Sequence, residues 1–315
     1  MRLLNRLKYG RIGTPTSKVL EAASAAEPVE SPALGDSAAT PVEDAALGCL
    51  ARLPPFSPIA VSLLRLFDQD DVEIAAVVRL VRSDAALAAE LLAYANSPLF
   101  GVPQSISDLT NAILVIGIDQ ARAMTTTLAM RSLLQGAPKT GVVRRIWRHS
   151  LATATIAAEL ASIFGVSPEL AETTGIVHDL GRAGLLAAHQ EAYSVLLLRY
   201  HESTQHVLEA EVAACGMDHC TAGIYLARKW GFPEVFHEPI AGHHEKPCGL
   251  RLLGVTQTAC LLADDFGYSA AAYGERPSIE ARLEQCIPEH LREGARPLLE
   301  VVKDRISARI QALDF

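Results

Sequence analysis

The stretch GIVHDLGRAGLL, residues 175–186, places a histidine and an aspartate side by side in an otherwise apolar segment. Burying two ionisable side chains is costly unless they are paired, hydrogen-bonded or bound to a metal. On one helix, His178 and Asp179 would lie about 100° apart around the axis. Three glycines of the same stretch would let other backbones approach closely: Gly175, Gly181 and Gly184.

Apolar residues recur at steps of three and four along the chain after residue 48, which is the spacing of amphipathic helices. In residues 142–165 this spacing places His149 on the same face as Ile146 and Ile156. Residues are 50% hydrophobic but only 5% aromatic, a composition that also favours helices. No segment alternates like a strand, so we predict an all-α protein.

Five helical segments of the second half each direct an imidazole or a carboxylate toward the interior. They carry His149, His178 with Asp179, His219, His243 with His244 beside it, and Asp264. One inward histidine is usually a hydrogen-bonded core residue, but several such side chains can hold one ion or a pair. Imidazole and carboxylate donors suit Fe, Mn, Mg or Zn. A hydrogen-bonded polar network is the alternative, and Cys220 is not expected to be a ligand.

The composition limits the classes of partner and compartment. A formal net charge of −8 argues against a general nucleic-acid binder. The six cysteines form no CxxC pair and indicate reduced thiols of a cytoplasmic protein. No uncharged apolar run reaches the ~18–20 residues of a membrane span. The first ten residues lack the apolar core of a signal peptide.

Residues 1–48 differ from the rest of the chain. The first 18 residues contain five basic side chains and no acidic one, whereas residues 21–48 are rich in Ala, Pro and Ser and carry six acids. Such a segment buries too little apolar area to offset its ordering entropy, so we predict a disordered tail. The alternative is a short motif around Leu3, Leu4 and Leu7 that contacts a partner or a membrane surface.

The order of these polar residues resembles that of the HD superfamily of metal-dependent phosphohydrolases. Residues from about 50 to 245 resemble more closely the HDOD (HD-related output) domain of bacterial signalling proteins. The resemblance is carried by SDAALAAELLAYANSPLFG, ISDLTNAILVIGIDQARAM, IWRHSLATA, GIVHDLG, CGMDHCTAGIYLARKWGFPE and GHHE. It covers roughly two-thirds of the chain.

This resemblance implies an all-helical, two-lobed domain over residues 49–268, with a first lobe at 49–138 and an HD-like lobe at 139–268. Residues 269–315 are then expected to form C-terminal helices that pack on the domain. By motif position, the residues that match metal ligands of the branch cleaving cyclic-di-GMP are His149, His178, Asp179, His219, His243 and Asp264. They would hold one or two divalent ions.

The chain also departs from that enzyme branch. Arg145 stands where some of those enzymes have a glutamate, and a guanidinium there would repel a cation. Arg182 replaces the lysine of the HDxGK motif, and the GYP loop expected after GHHE is missing. These departures favour a regulatory module over an enzyme.

We therefore expect a signal-transduction output domain that acts through protein contacts, in two-component or cyclic-di-GMP networks. Its expected partners are a sensor kinase, a response regulator or a cyclic-di-GMP enzyme, and the sequence leaves a homodimer open. The alternative is a metal-dependent phosphohydrolase that acts on a nucleotide or cyclic dinucleotide. In that enzyme, Arg182 would steady the negative charge that develops on the substrate.

Overall fold

The computed structural model describes residues 41–68, 72–97, 100–136, 141–199, 204–247, 249–271 and 276–313. These residues form sixteen α-helices and no strand. The predicted all-α, two-lobed class is confirmed. Within the described part of the chain, no helix is both long enough and apolar enough to cross a bilayer.

The first lobe is a group of short helices around its own apolar core, which includes Leu63, Val81, Leu91 and Ile113. Its helices are α1 (Pro41–Ala51), α2 (Pro58–Leu64), α3 (Ile74–Arg82), α4 (Ala85–Ala95), α5 (Leu109–Ile116) and α6 (Ile118–Gln135). Helices α1, α2 and α6 also contribute side chains to a larger core shared with the second lobe. The two lobes are therefore joined by buried apolar contacts.

Side-chain caps and a glycine set the ends of helices in the first lobe. Asp84 Oδ1 accepts hydrogen bonds from the backbone N–H groups of Ala86 and Leu87 at the start of α4. Asp108 caps α5 in the same way. Gly117 adopts a positive φ of 87° and separates α5 from α6.

Helix α1 lies partly in the segment that the sequence predicts as a tail, residues 1–48. The helix begins at Pro41, and Leu50 is fully buried in the larger core. Lys229 donates hydrogen bonds from Nζ to three backbone carbonyl groups at the end of α1. Helix α1 therefore overlaps residues 41–48 of the predicted tail, because tertiary packing stabilises this alanine-rich helix; residues before Pro41 lie outside the described part.

The second lobe is built around the long helix α7, which packs against α8, α14 and α16. Its helices are α7 (Gly141–Phe164), α8 (Pro168–Val177), α9 (Leu180–Ala188), α10 (Gln190–Arg199), α11 (Thr204–Cys215), α12 (His219–Trp230), α13 (His237–Gly242) and α14 (Leu252–Asp265). Two C-terminal helices follow, α15 (Ile279–Cys286) and α16 (Glu289–Leu313). Helix α16 buries Val302 and Ile306, and Trp147 Nε1 of α7 donates to the Leu313 carbonyl oxygen at 3.1 Å.

Two of the three glycines behave as predicted and bring backbones of the second lobe into direct contact, whereas a Cβ atom on Gly184 would meet the Leu226 side chain. A Cβ atom on Gly175 would lie 2.5 Å from Cα of Ala154 in α7. A Cβ atom on Gly181 would lie 1.8 Å from the carbonyl oxygen of His219 in α12. Because these glycines flank His178 and Asp179, the close contacts hold α7 and α12 beside that pair.

The structure corrects the prediction that His178 and Asp179 lie within one helix. Helix α8 ends at Val177 and α9 begins at Leu180, so the pair occupies the turn between them. Asp179 has φ −94° and ψ 23°, outside the helical region. In a continuous helix the two side chains would diverge by about 100°. The turn instead brings Nε2 of His178 and Oδ2 of Asp179 to 3.8 Å.

The replacement Gly181→Ala tests the contact between α9 and α12. Its Cβ atom would meet backbone atoms of His219 and Gly223, which cannot rotate away. We expect the free energy of unfolding to fall by about 3 kcal/mol in urea titrations. Gly141→Ala is the control, because no atom lies within 4 Å of its Cβ position, and its change should stay within about 1 kcal/mol. Equal small changes in the two variants would contradict the close contact.

Candidate metal centre

Asp179 lies at the centre of a group of buried imidazoles. Its Oδ1 atom is 3.4 Å from Nε2 of His219 and 3.3 Å from Nε2 of His243. Its Oδ2 atom is 3.6 Å from Nε2 of His149 and 3.8 Å from Nε2 of His178. All five side chains belong to residues that are at most 3% exposed. The structure thus brings together five of the six predicted ligand residues.

Hydrogen bonds on the outer side of each ring fix the tautomers of the four histidines. Each Nδ1 atom faces an oxygen that can only accept a hydrogen bond. In three rings this oxygen is a backbone carbonyl: Tyr268 O at 2.9 Å from His149, Gly175 O at 2.7 Å from His178, and Ile240 O at 3.0 Å from His243. In the fourth ring, His219, it is the carboxylate oxygen Oε2 of Glu211, at 2.6 Å. Nδ1 therefore carries the proton in each neutral ring, and the Nε2 lone pair points inward. Metal-binding histidines are oriented by the same kind of outer hydrogen bond.

The inward nitrogen atoms of these rings face one another. The Nε2 atoms of His149 and His178 are 3.3 Å apart, and those of His219 and His243 are 3.2 Å apart. His244 adds a third contact, with its Nε2 atom 2.9 Å from that of His219. Two facing lone pairs repel unless positive charge lies between them. The donor set therefore fits a bound cation.

A buried carboxylate oxygen strengthens this conclusion. Oδ1 of Asp179 is buried and, with the histidines in their neutral tautomers, accepts no hydrogen bond. Leaving such an atom unsatisfied costs free energy, and its neighbours His219 and His243 offer lone pairs rather than N–H groups in their neutral tautomers. A cation would satisfy the oxygen and both nitrogen atoms together.

The donor atoms form two groups, each within 4.8 Å. The aspartate-side group comprises Asp179, His219, His243 and His244, and the cysteine-side group comprises His149, His178 and Cys260. Asp179 Oδ2 also lies near the cysteine-side group. The arrangement can therefore hold one cation or two, with the Asp179 carboxylate between them.

One predicted ligand residue lies outside this inner group of donors. Asp264 Oδ1 is 3.4 Å from Nδ1 of His149, on the outer side of that ring. One helical turn earlier, Cys260 faces the inner nitrogen, with Sγ 3.6 Å from Nε2 of His149. Cys260 was not among the predicted ligands, and His244 was noted only as the neighbour of His243. The GHHE motif could have indicated His244, whereas Cys260 resembles an ordinary apolar core residue.

Arg182 belongs to a buried polar network behind the cluster. Its Nε atom donates to Asp179 Oδ2 at 3.0 Å, and its Nη1 atom donates to Glu211 Oε1 at 3.0 Å and to the Tyr193 hydroxyl at 3.2 Å. The other oxygen of Glu211 accepts from both the backbone N–H and Nδ1 of His219. Glu211, which the sequence analysis also missed, thus positions a predicted metal ligand.

Positive charge is favoured at two rings of the cluster, His219 and His243, whereas burial lowers the pKa of His178 and of His244 well below the usual value. Burial lowers the pKa of His219, but Glu211 and Cys220 outweigh it and raise that pKa to about 9. Burial is likewise outweighed at His243, where Cys220 and Asp179 raise the pKa to about 10. Protons or a metal cation can supply the charge that these negative groups attract.

A small cleft leads toward the cluster from the surface. It is lined by His149, Arg182, His244 and Asp264, together with Ser269 and neighbouring apolar side chains. Arg145, expected to repel a cation, is half-buried and donates from Nη1 to the Leu197 carbonyl oxygen at 3.5 Å. The cleft therefore lies beside the centre, whose donor side chains are almost all buried.

Known proteins share this architecture. A family model described as the HDOD domain matches residues 53–246. An uncharacterized protein of Treponema pallidum (strain Nichols) is 25% identical over 199 residues, which cover 62% of this chain. The chain spans only 38% of the length of that relative.

Solved structures with the same fold come from three bacteria. An HDOD domain protein of unknown function from Geobacter sulfurreducens has a TM-score of 0.68 and 21% identity, over 86% of this chain and 98% of its own. A Marinobacter aquaeolei VT8 protein, provisionally named a signal transduction protein, has a TM-score of 0.63 and 18% identity. The match covers 87% of this chain and 66% of the Marinobacter chain. A Shewanella amazonensis SB2B protein, provisionally named a phosphohydrolase, has a TM-score of 0.62 and 19% identity. The match covers 84% of this chain and 98% of the Shewanella chain.

The replacement Glu211→Gln tests the polar network. It removes the negative charge that compensates Arg182, so the metal-free protein should lose about 2–4 kcal/mol of unfolding free energy in urea titrations. Because Glu211 also orients His219, metal affinity should fall about 10–100-fold. Glu280→Gln is the control: its exposed pair with Arg296 should contribute less than about 1 kcal/mol. Similar small losses in both variants would contradict the proposed role of the network.

Proposed function

Because the chain belongs to the HDOD domain family, we propose that it is a signal-transduction module whose HD-like lobe holds one or two divalent cations. The observation that carries this proposal is the set of Nε2 lone pairs that face one another around Asp179. A module of this kind acts through contacts with other proteins. The partners we propose are a sensor kinase, a response regulator or a cyclic-di-GMP enzyme.

The burial of the centre supports a regulatory rather than a catalytic role. Asp179, His178 and His219 are fully buried, so a phosphoester cannot reach these donors without a rearrangement of the lobe. Arg182, the residue expected to steady charge on a substrate, is 4% exposed and already donates to Asp179 and Glu211. A cation in this position would instead hold α7, the turn after α8, α12 and the end of α13 together.

A metal-dependent phosphohydrolase acting on a nucleotide or cyclic dinucleotide is the second candidate. The cleft lined by His149, Arg182, His244 and Asp264 supports it, because it opens next to both donor groups. Two cations in such a cluster would supply the Lewis acidity used in phosphoester cleavage. The provisional name of the Shewanella amazonensis SB2B structure, a phosphohydrolase, points in the same direction.

Metal content and turnover, measured on the same samples, distinguish these functions. We expect about one or two Fe, Mn or Zn ions per purified chain by elemental mass spectrometry. Asp179→Asn should lose the metal, because it removes the central negative charge. Asp304→Asn, on the exposed face of α16, should retain it. A chain without metal that is folded by circular dichroism would contradict the proposal.

Hydrolysis is then measured with cyclic dinucleotides and nucleotides in the metal-loaded protein. The signalling module predicts no turnover above the rate of Asp179→Asn. Turnover that disappears with both a chelator and Asp179→Asn would instead establish the phosphohydrolase.

A further inference from the structure

The sulfur atom of Cys260 lies among the inward nitrogen donors. Its Sγ atom is 3.6 Å from Nε2 of His149, and the donor atoms of His149, His178 and Cys260 all lie within 4.8 Å of one another. Cys260 is 1% exposed, so its thiol faces the cluster rather than solvent.

The spacing of these atoms matches one tetrahedral ion. With ordinary zinc bond lengths, two nitrogen ligands lie about 3.4 Å apart, and a nitrogen and a sulfur ligand about 3.6 Å apart. The Nε2 atoms of His149 and His178 are 3.3 Å apart, and Sγ of Cys260 is 3.6 Å from the first of them. Both distances agree with ligands that share a centre.

Asp179 can complete this set of donors. Its Oδ2 atom is 3.6 Å from Nε2 of His149 and 3.8 Å from Nε2 of His178. The same oxygen accepts a hydrogen bond from Arg182, but a carboxylate oxygen has a second lone pair. Asp179 Oδ2 thus lies near both imidazole nitrogens of the cysteine-side group and can serve as a fourth donor.

Neither Asp264 nor Cys220 offers its donor atom to this position. Asp264 approaches the outer Nδ1 atom of His149, at 3.4 Å. Cys220 is also buried, but its Sγ atom lies 4.0 Å from Nδ1 of His243, on the side of the ring that faces away from Asp179 Oδ1. Cys220 is thus a matched control for a sulfur atom near the cluster that is not a ligand.

We propose that Cys260 is a thiolate ligand of a cation held with His149, His178 and Asp179, which makes this position selective for a thiophilic ion such as Zn²⁺ or Fe²⁺. The inference rests on the proposed metal centre and deepens it. Thiolate ligands favour such ions over Mg²⁺ and Mn²⁺, which prefer oxygen donors. The aspartate-side group, with imidazoles and a carboxylate only, has no such preference for soft ions.

Cobalt(II) substitution tests the proposal, because a cobalt–thiolate bond gives an intense near-ultraviolet charge-transfer band. The chelator-treated protein, Cys260→Ser and Cys220→Ser are each loaded with Co²⁺, and bound cobalt is measured on the same samples. We expect the band in the unaltered protein and in Cys220→Ser, and its loss in Cys260→Ser. Cys260→Ser should still bind cobalt through the aspartate-side group.

Two outcomes separate the thiolate ligand from the metal centre itself. Bound cobalt without the band, or a band that survives Cys260→Ser, overturns the thiolate ligand while leaving the proposed metal centre intact. If the unaltered protein binds no cobalt, both proposals fail.

A second measurement covers the case in which Cys260→Ser does not fold. Zinc-edge X-ray absorption of the zinc-loaded Cys220→Ser protein leaves Cys260 unchanged. One sulfur neighbour at about 2.3 Å supports the proposal, and a shell of nitrogen and oxygen alone overturns it.

Discussion

The arrangement of the second lobe depends on one electrostatic constraint, the convergence of inward-facing imidazole nitrogens on a buried carboxylate. Outer hydrogen bonds from Nδ1 to backbone carbonyl oxygens and to Glu211 leave the Nε2 lone pairs pointing at one another and at Asp179. Such a group is unstable without positive charge, because nitrogen lone pairs and carboxylate oxygens are all hydrogen-bond acceptors and repel one another. A metal cation or protons at the centre would therefore hold together the helices that carry these side chains.

Apolar packing brings the donors close enough for this constraint to operate. Gly175 lets the end of α8 approach α7, and Gly181 lets α9 approach α12. The turn at His178 and Asp179 then directs two consecutive side chains into one cluster. Behind them, Glu211 joins Arg182 to His219, so the charge balance of the centre extends into the core.

Helical spacing predicts the helices and the inward direction of His149, His219 and His243, whereas the set of candidate ligands comes from the resemblance to the HD superfamily. Single-residue features depend on tertiary contacts and are less predictable. The break at Asp179 accompanies close backbone packing at Gly175 and Gly181, and the place of Cys260 among the donors depends on the contact of its Sγ atom with His149 of α7. Helix α1 begins before the predicted boundary because Leu50 finds a buried site that local composition does not reveal.

The most direct test of the central claim is anomalous X-ray diffraction from crystals of the protein as purified. The account predicts one or two anomalous peaks inside the cluster, in contact with Asp179 and with the Nε2 atoms of the surrounding histidines. A well-ordered cluster without an anomalous peak, in which waters or shared protons bridge the imidazoles, would contradict it.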